Sequence, residues 1–240
     1  MSEATTIIIS GGFKETVLSD AEKIFGKLPN TPKPTKVKVA ESQEIPQVLV
    51  KHKETDQTHI VLGVRAFDTF SPQVPILKVL SGVLGGGMSS RLFTKLRDEL
   101  GLCYYVGASP DLYTDHGVFQ ISVGADTKKV AQAIMAVMEE LKKLVSEKVP
   151  DGELRKSKDF LIGNLYLGLE SSDELAQFYG MQEILRKPIK NSEQVAKEIE
   201  KVTVEDIQNL ACQLLVDKNL NLALIGPFKD KQKFQSILKF

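Results

Sequence analysis

Short runs of alternating apolar and polar positions fill the first half of the chain, and helical spacing dominates the second. Residues 47–52 and 59–66 read as strands; in the second, Ile60, Leu62 and Val64 share one face. Pro75 suits a first helical position, opening a helix that runs to Leu84. After the triplet Gly85-Gly86-Gly87, Ser89-Ser90 can cap a further helix over 91–100, which Gly101 stops as a left-handed cap. Residues 104–109 and 118–124 then alternate around Asp115-His116-Gly117 and predict an antiparallel hairpin. Val130, Ile134, Val137, Met138, Leu141, Leu144 and Val145 trace a helical stripe. Further helices start at Asp151, behind the capping box Ser171-Ser172-Asp173-Glu174, and near Thr203, and a strand closes the order at 220–225. Strands early, helices late and a closing strand predict an α+β fold: a largely antiparallel sheet covered on one face by several helices.

The two ends of the chain resemble each other. Residues 5–10 form a β-branched run that reads as a buried strand, followed by Gly12-Phe13-Lys14 and a helix over 15–25. Residues 220–225 are followed by Gly226-Pro227-Phe228-Lys229 and a last helix to the C-terminus. Two copies of one domain plan would produce this, and so would chance reuse of a common unit. Pro29, Pro32 and Pro34 exclude helix or inner strand and mark the best domain boundary. On the duplication reading, residues 1–30 are the strand–helix tail of a preceding domain that is mostly absent, and 31–240 form one fuller domain. The strand at 5–10 would then lack its home sheet, and should pack irregularly or pair with another chain.

Composition narrows the function classes. Of 240 residues 42% are hydrophobic and 26% charged, which suits a globular protein. Lys+Arg and Asp+Glu both number 31, and this balance argues against a dedicated nucleic-acid binder. Cys103 and Cys212 form no C-x-x-C pair, so neither a disulfide framework nor a thiolate zinc cluster is expected. No apolar run could span a bilayer, and the start lacks the basic and apolar regions of a secretory signal. A cytoplasmic protein without membrane partners is expected.

Most candidate chemistry dissolves on inspection. The glycine triplet follows a helix instead of a strand and has no Gly-Lys-Ser/Thr after it, so it is no phosphate cradle. It reads as a tight helix–helix joint. His52, His59 and His116 lack metal-ligand spacing, no H-x-x-E-H or H-E-x-x-H occurs, and no metal site can be assigned. No G-x-S-x-G elbow is present, Cys103 has no histidine cued as its base, and Asp98-Glu99 and Glu139-Glu140 read as solvated or ion-paired helix faces. Arg97, near a helix end, and Tyr104, at the next strand's start, stand apart. A guanidinium and a phenol converging at a sheet edge would suit a peptide carbonyl or its tetrahedral oxyanion. An arginine favoured by the helix dipole beside a half-buried strand tyrosine fits the same residues, and spacing leaves both readings open.

Residues 84–93, LGGGMSSRLF, with 96–104, LRDELGLCY, resemble the C-terminal-domain signature of the pitrilysin/insulinase zinc metallopeptidases, the family that includes mitochondrial processing peptidase. The resemblance extends over nearly the whole chain. It implies duplicated α/β domains around a chamber, with an inverted zinc motif in one half and an arginine and tyrosine in the other. Arg97 and Tyr104 match that pair in type and spacing, so the resemblance assigns them the catalytic role. It also places them, with Gly85, Gly86 and Gly87, in the substrate-binding set, and implies a peptide added as a strand to a sheet edge. The zinc-binding domain is missing from these residues. The chain is therefore expected to be the C-terminal domain or partner subunit of a zinc endopeptidase, inactive by itself, with zinc in the missing domain or partner. A non-catalytic structural or peptide-binding core subunit on the same fold, as in respiratory complexes, is the alternative.

Overall fold

In the computed structural model, residues 2–185 and 187–240 are described. The chain divides into two compact units, one of 39–162 with 197–240, the other of the residues up to 38 with 163–196.

The larger unit is built on a five-stranded sheet in the order β1-β5-β2-β4-β3. These strands are β1 (Gln47–His52), β2 (Gln57–Ala66), β3 (Cys103–Leu112), β4 (Gly117–Asp126) and β5 (Leu220–Gly226). Only β1 and β5 run parallel; every other pair is antiparallel, as the alternation predicts. Ile60, Leu62 and Val64 stand in register with Val123, Ile121 and Phe119 on β4 and with Leu224, Leu222 and Leu220 on β5. All nine are buried and make one apolar face. Against it lie α2 (Val74–Gly85), α3 (Val130–Ser146) and α7 (Val204–Leu214). The burial of Leu77, Leu80, Leu84, Ile134, Leu141 and Ile207 follows from their helical spacing. The opposite face carries His59, Val61, Ala223, Ile225, Leu49 and Tyr105, all exposed. The expected α+β architecture is borne out.

Two local expectations fail. Residues 93–99 form a π-helix, where the glycine and serine signals predict an α-helix. Its last turn closes by Leu100 N–H donating to Lys95 O at 3.2 Å and Leu102 N–H to Leu96 O at 2.7 Å, which draws Leu96 and Leu102 together in the core. Gly101 sits in this turn at φ +55°, as its cap role requires. The last helix, α8, spans only Gln232–Gln235; Phe234 is buried and packs edge-on against Phe228 at 5.2 Å.

In the smaller unit, α1 (Val17–Phe25) buries none of its residues, and Leu18 is 74% exposed. Residues 5–10 form no strand, contrary to their β-branched composition, and Ile7, Ile8 and Ile9 remain partly exposed. A strand needs a neighbour for its backbone groups, and the described part of this unit contains none. Within the same unit α5 (Ser172–Ile184) starts at the expected capping box, Ser171 and Glu174 bonding reciprocally. The helices α4 (Asp151–Leu167) and α6 (Ser192–Glu200) carry the chain from one unit to the other.

Candidate functional site

The signature stretch makes one corner of the larger unit, and α2 begins it. Its final residue, Gly85, passes so close to β3 that a Cβ there would overlap the backbone nitrogen of Ala108 and come within 2.8 Å of that residue's Cβ. Gly86 packs against the preceding turn at Gly82, and Gly87 lies against the Phe160 ring, which a Cβ added there would approach to 3.2 Å. The triplet therefore joins α2 to β3 and α4 by close backbone approach. It frames the corner without supplying polar side chains.

Arg91 follows, 14% exposed, and clamps Glu153 of α4 through Nε and Nη2 at 2.7 and 2.8 Å. The carboxylate holds the guanidinium pKa above its usual value, against the opposing effect of burial. This fork anchors the segment that leads into the π-helix. Its sequence signal was only a charged residue beside the serine cap, so it was not legible in advance.

Arg97 lies in the last turn of the π-helix with its side chain exposed, its guanidinium carbon 5.7 Å from the Phe93 ring centroid. Past Gly101 the chain enters β3, an edge strand of the sheet. Cys103 pairs with Ala125 and Tyr105 pairs with Gly124, so Tyr104 is the extra residue of a β-bulge. Bulges turn side chains out of the regular alternation, and Tyr104 is 60% exposed. The two candidate residues thus flank one tight turn at the head of an edge strand. Cys103, between them, senses the arginine: burial raises its thiol pKa and the Arg97 charge partly lowers it.

Tyr105 has its own partner. Its hydroxyl lies 2.9 Å from His59 Nδ1, and the rings stack at 6.2 Å with 28° between planes. The other histidines stay local. His116 Nδ1 lies 2.9 Å from Asp115 and its ring stacks on Tyr113 at 4.7 Å, while His52 pairs with Glu54 at 3.1 Å. Glu139 and Glu140 both bind Lys143, and Glu99 binds Lys95, as solvated or ion-paired faces.

Among the described residues no group of three His, Cys, Asp or Glu side chains is arranged to hold a metal. The donor set does not fit a catalytic zinc, which needs several such ligands converging on one point. Among the same residues, no helix is long and apolar enough to cross a membrane.

The corner is thus an edge strand with Arg97 and Tyr104 at its head, on a sheet with one helix-covered face. The chain belongs to the peptidase M16 family: residues 2–161 match the model described as "Peptidase M16 inactive domain". The resemblance seen in the signature is borne out. The chain is 32% identical over 225 residues to the uncharacterized zinc protease YmxG of Bacillus subtilis, covering 94% of this chain and 54% of the relative. It thus spans about half the length of the curated relatives it matches. The fold is similar to that of a protease from Helicobacter pylori, with a TM-score of 0.82 at 21% identity over 90% of this chain and 53% of the other. A chain of Complex III2 from Candida albicans shares it at TM-score 0.80 and 15% identity, over 96% and 57%.

Proposed function

We propose that this chain is the substrate-binding, zinc-free part of a zinc endopeptidase, and acts on a peptide bond together with a zinc-bearing domain or subunit of the same family. The observation that supports the reading is the position of Arg97 and Tyr104 on either side of the Gly101 turn at the head of β3. The open edge of β3 offers backbone groups to an extended peptide, and Pro110 ends the part of that edge able to donate a full ladder. A peptide carbonyl oxygen near the bulge would accept hydrogen bonds from the guanidinium and the phenol. As the carbonyl becomes tetrahedral its oxygen gains charge, and both donors then bind it more strongly than in the ground state. Gly85 contributes by seating β3 and its edge against α2, and Gly86 and Gly87 complete that joint against Gly82 and Phe160.

Residues 1–30 are, on this reading, the tail of a preceding domain. The lack of a strand at 5–10, the lack of any buried residue in α1 and the roughly double length of the relatives all support that division. A cytoplasmic location accords with the two unpaired cysteines.

The test combines the chain with its zinc-bearing relative from the same genome and follows cleavage of internally quenched peptides. Each of Arg97→Ala and Tyr104→Phe should lower kcat by about 10²-fold or more, the usual effect of removing one oxyanion donor. Unchanged turnover in both variants would sink the assignment. Similarity to the Complex III2 chain favours a second reading, a structural subunit without proteolytic duty. That reading predicts stable incorporation into a larger assembly and no cleavage with any zinc-bearing relative.

A further inference from the structure

The start of β3 contains an ambiguity that apolar patterning cannot resolve. Cys103 faces Ala125 and Val106 faces Val123, and Ala125 and Val123 are both buried. Two tyrosines therefore share the single partner Gly124 between those fixed points. One must sit opposite the glycine and the other must bulge. Their side chains are identical, so burial energy does not choose between them.

We propose that Gly124 and His59 form a seat that holds one of the two tyrosine rings, so that the other is the one presented at the site. His59, Gly124 and Tyr105 lie in one row across β2, β4 and β3. A Cβ at Gly124 would overlap the Tyr105 ring and the Gln57 amide, so only glycine leaves room for a ring laid over the central strand. The hydroxyl of that ring reaches His59 Nδ1 at 2.9 Å. With Tyr105 seated, the bulge falls on Tyr104 beside the Arg97 turn. Moving the bulge by one residue would seat Tyr104 against His59 and withdraw it from the arginine, with the ladder from Val106 onward unchanged. His59, Gly124 and Tyr105 are thus positioning residues for Tyr104. This role rests on the reading of Tyr104 given above.

The two registers compete for one hydrogen bond, and that yields a non-additive test. In Tyr105→Phe only Tyr104 can still bond to His59, so the ratio of registers shifts toward the misplaced one by about fivefold, the worth of one net hydrogen bond. In the double variant Tyr105→Phe, His59→Ala neither ring gains a bond, and the ratio returns toward that of the wild type. NMR of the 240-residue chain reads this directly, through contacts from Gly124 and His59 to ring 104 or ring 105. Contacts to ring 104 that grow in the single variant and fade in the double one are expected. A single variant that keeps ring 105 opposite Gly124, with no second register, overturns the proposal. Cleavage with the zinc-bearing relative forms a separate arm, in which kcat should fall in Tyr105→Phe and recover in the double variant while KM stays constant. If Tyr104→Phe leaves turnover unchanged although the NMR shift occurs, the catalytic reading of Tyr104 fails and the seat stands. If Tyr104→Phe abolishes turnover and the registers never move, the seat fails alone.

Discussion

Replacing Gly85 by alanine isolates the contact on which the signature corner is built. In a helix this change by itself stabilises by up to about 1 kcal/mol, less at a last turn. Here the new methyl meets the backbone of β3 at Ala108 and the carbonyl carbon of Gly107, 2.9 Å away. Backbone in a paired strand cannot rotate aside as a side chain can, so helix and strand must separate. Overpacking of this kind costs about 1–3 kcal/mol, which leaves a net loss of about 1–2 kcal/mol. Gly152, in α4 of the same unit, has nothing within 4 Å of its ideal Cβ, so Gly152→Ala should stabilise by about 0.4–1 kcal/mol. Urea denaturation followed by circular dichroism compares the two, and the midpoints should move in opposite directions with unchanged slopes. In a domain of this size each kcal/mol corresponds to about 2–4 °C in Tm. If Gly85→Ala proves as stable as Gly152→Ala, the close approach of α2 to β3 is refuted.

Arg91→Ala should cost about 2–3 kcal/mol because it strands Glu153 without its fork, and Arg91→Lys should recover only part, since an ammonium cannot bond in two places at once. A double-mutant cycle with Glu153→Ala checks it, and a coupling near zero would contradict the geometry. Arg97→Ala should slow alkylation of Cys103 at pH 8, because removing the nearby positive charge lets burial raise the thiol pKa further; Cys212 serves as the internal standard. The Asp173 carboxyl is held below its usual pKa, chiefly by the Ser171 hydroxyl donating at 2.6 Å. Its folded pKa lies below the unfolded value of about 3.9, so its contribution is complete above that pH and is lost as pH falls toward the folded pKa. Asp173→Asn should lower stability at neutral pH, where the charged carboxylate contributes in full, and flatten the acid limb of the pH–stability curve below about pH 4.

Much of this architecture was legible in the chain itself. Alternation at Ile60, Leu62 and Val64, and at Phe119, Ile121 and Val123, depends only on a period of two against one buried face. The stripe from Val130 to Leu144 and the cap at Ser171 are likewise local, set by helix geometry and unpaired N–H groups. Arg97 and Tyr104 were visible as residue types at a fixed spacing around Gly101. What spacing could not supply was their aim. The π-helix over Phe93–Glu99 and the bulge at Tyr104 each depart by one residue from a regular repeat. Such departures are settled by burying Leu96 and Leu102 together and by the ladder fixed from Val106 onward. The roles of Gly85 and Gly124 are equally non-local, since the atoms that exclude a Cβ belong to β3 and to a tyrosine on another strand. Period and residue type act over a few neighbours and so can be read along the chain; steric exclusion and register act between segments far apart in sequence, and exist only once the sheet has formed.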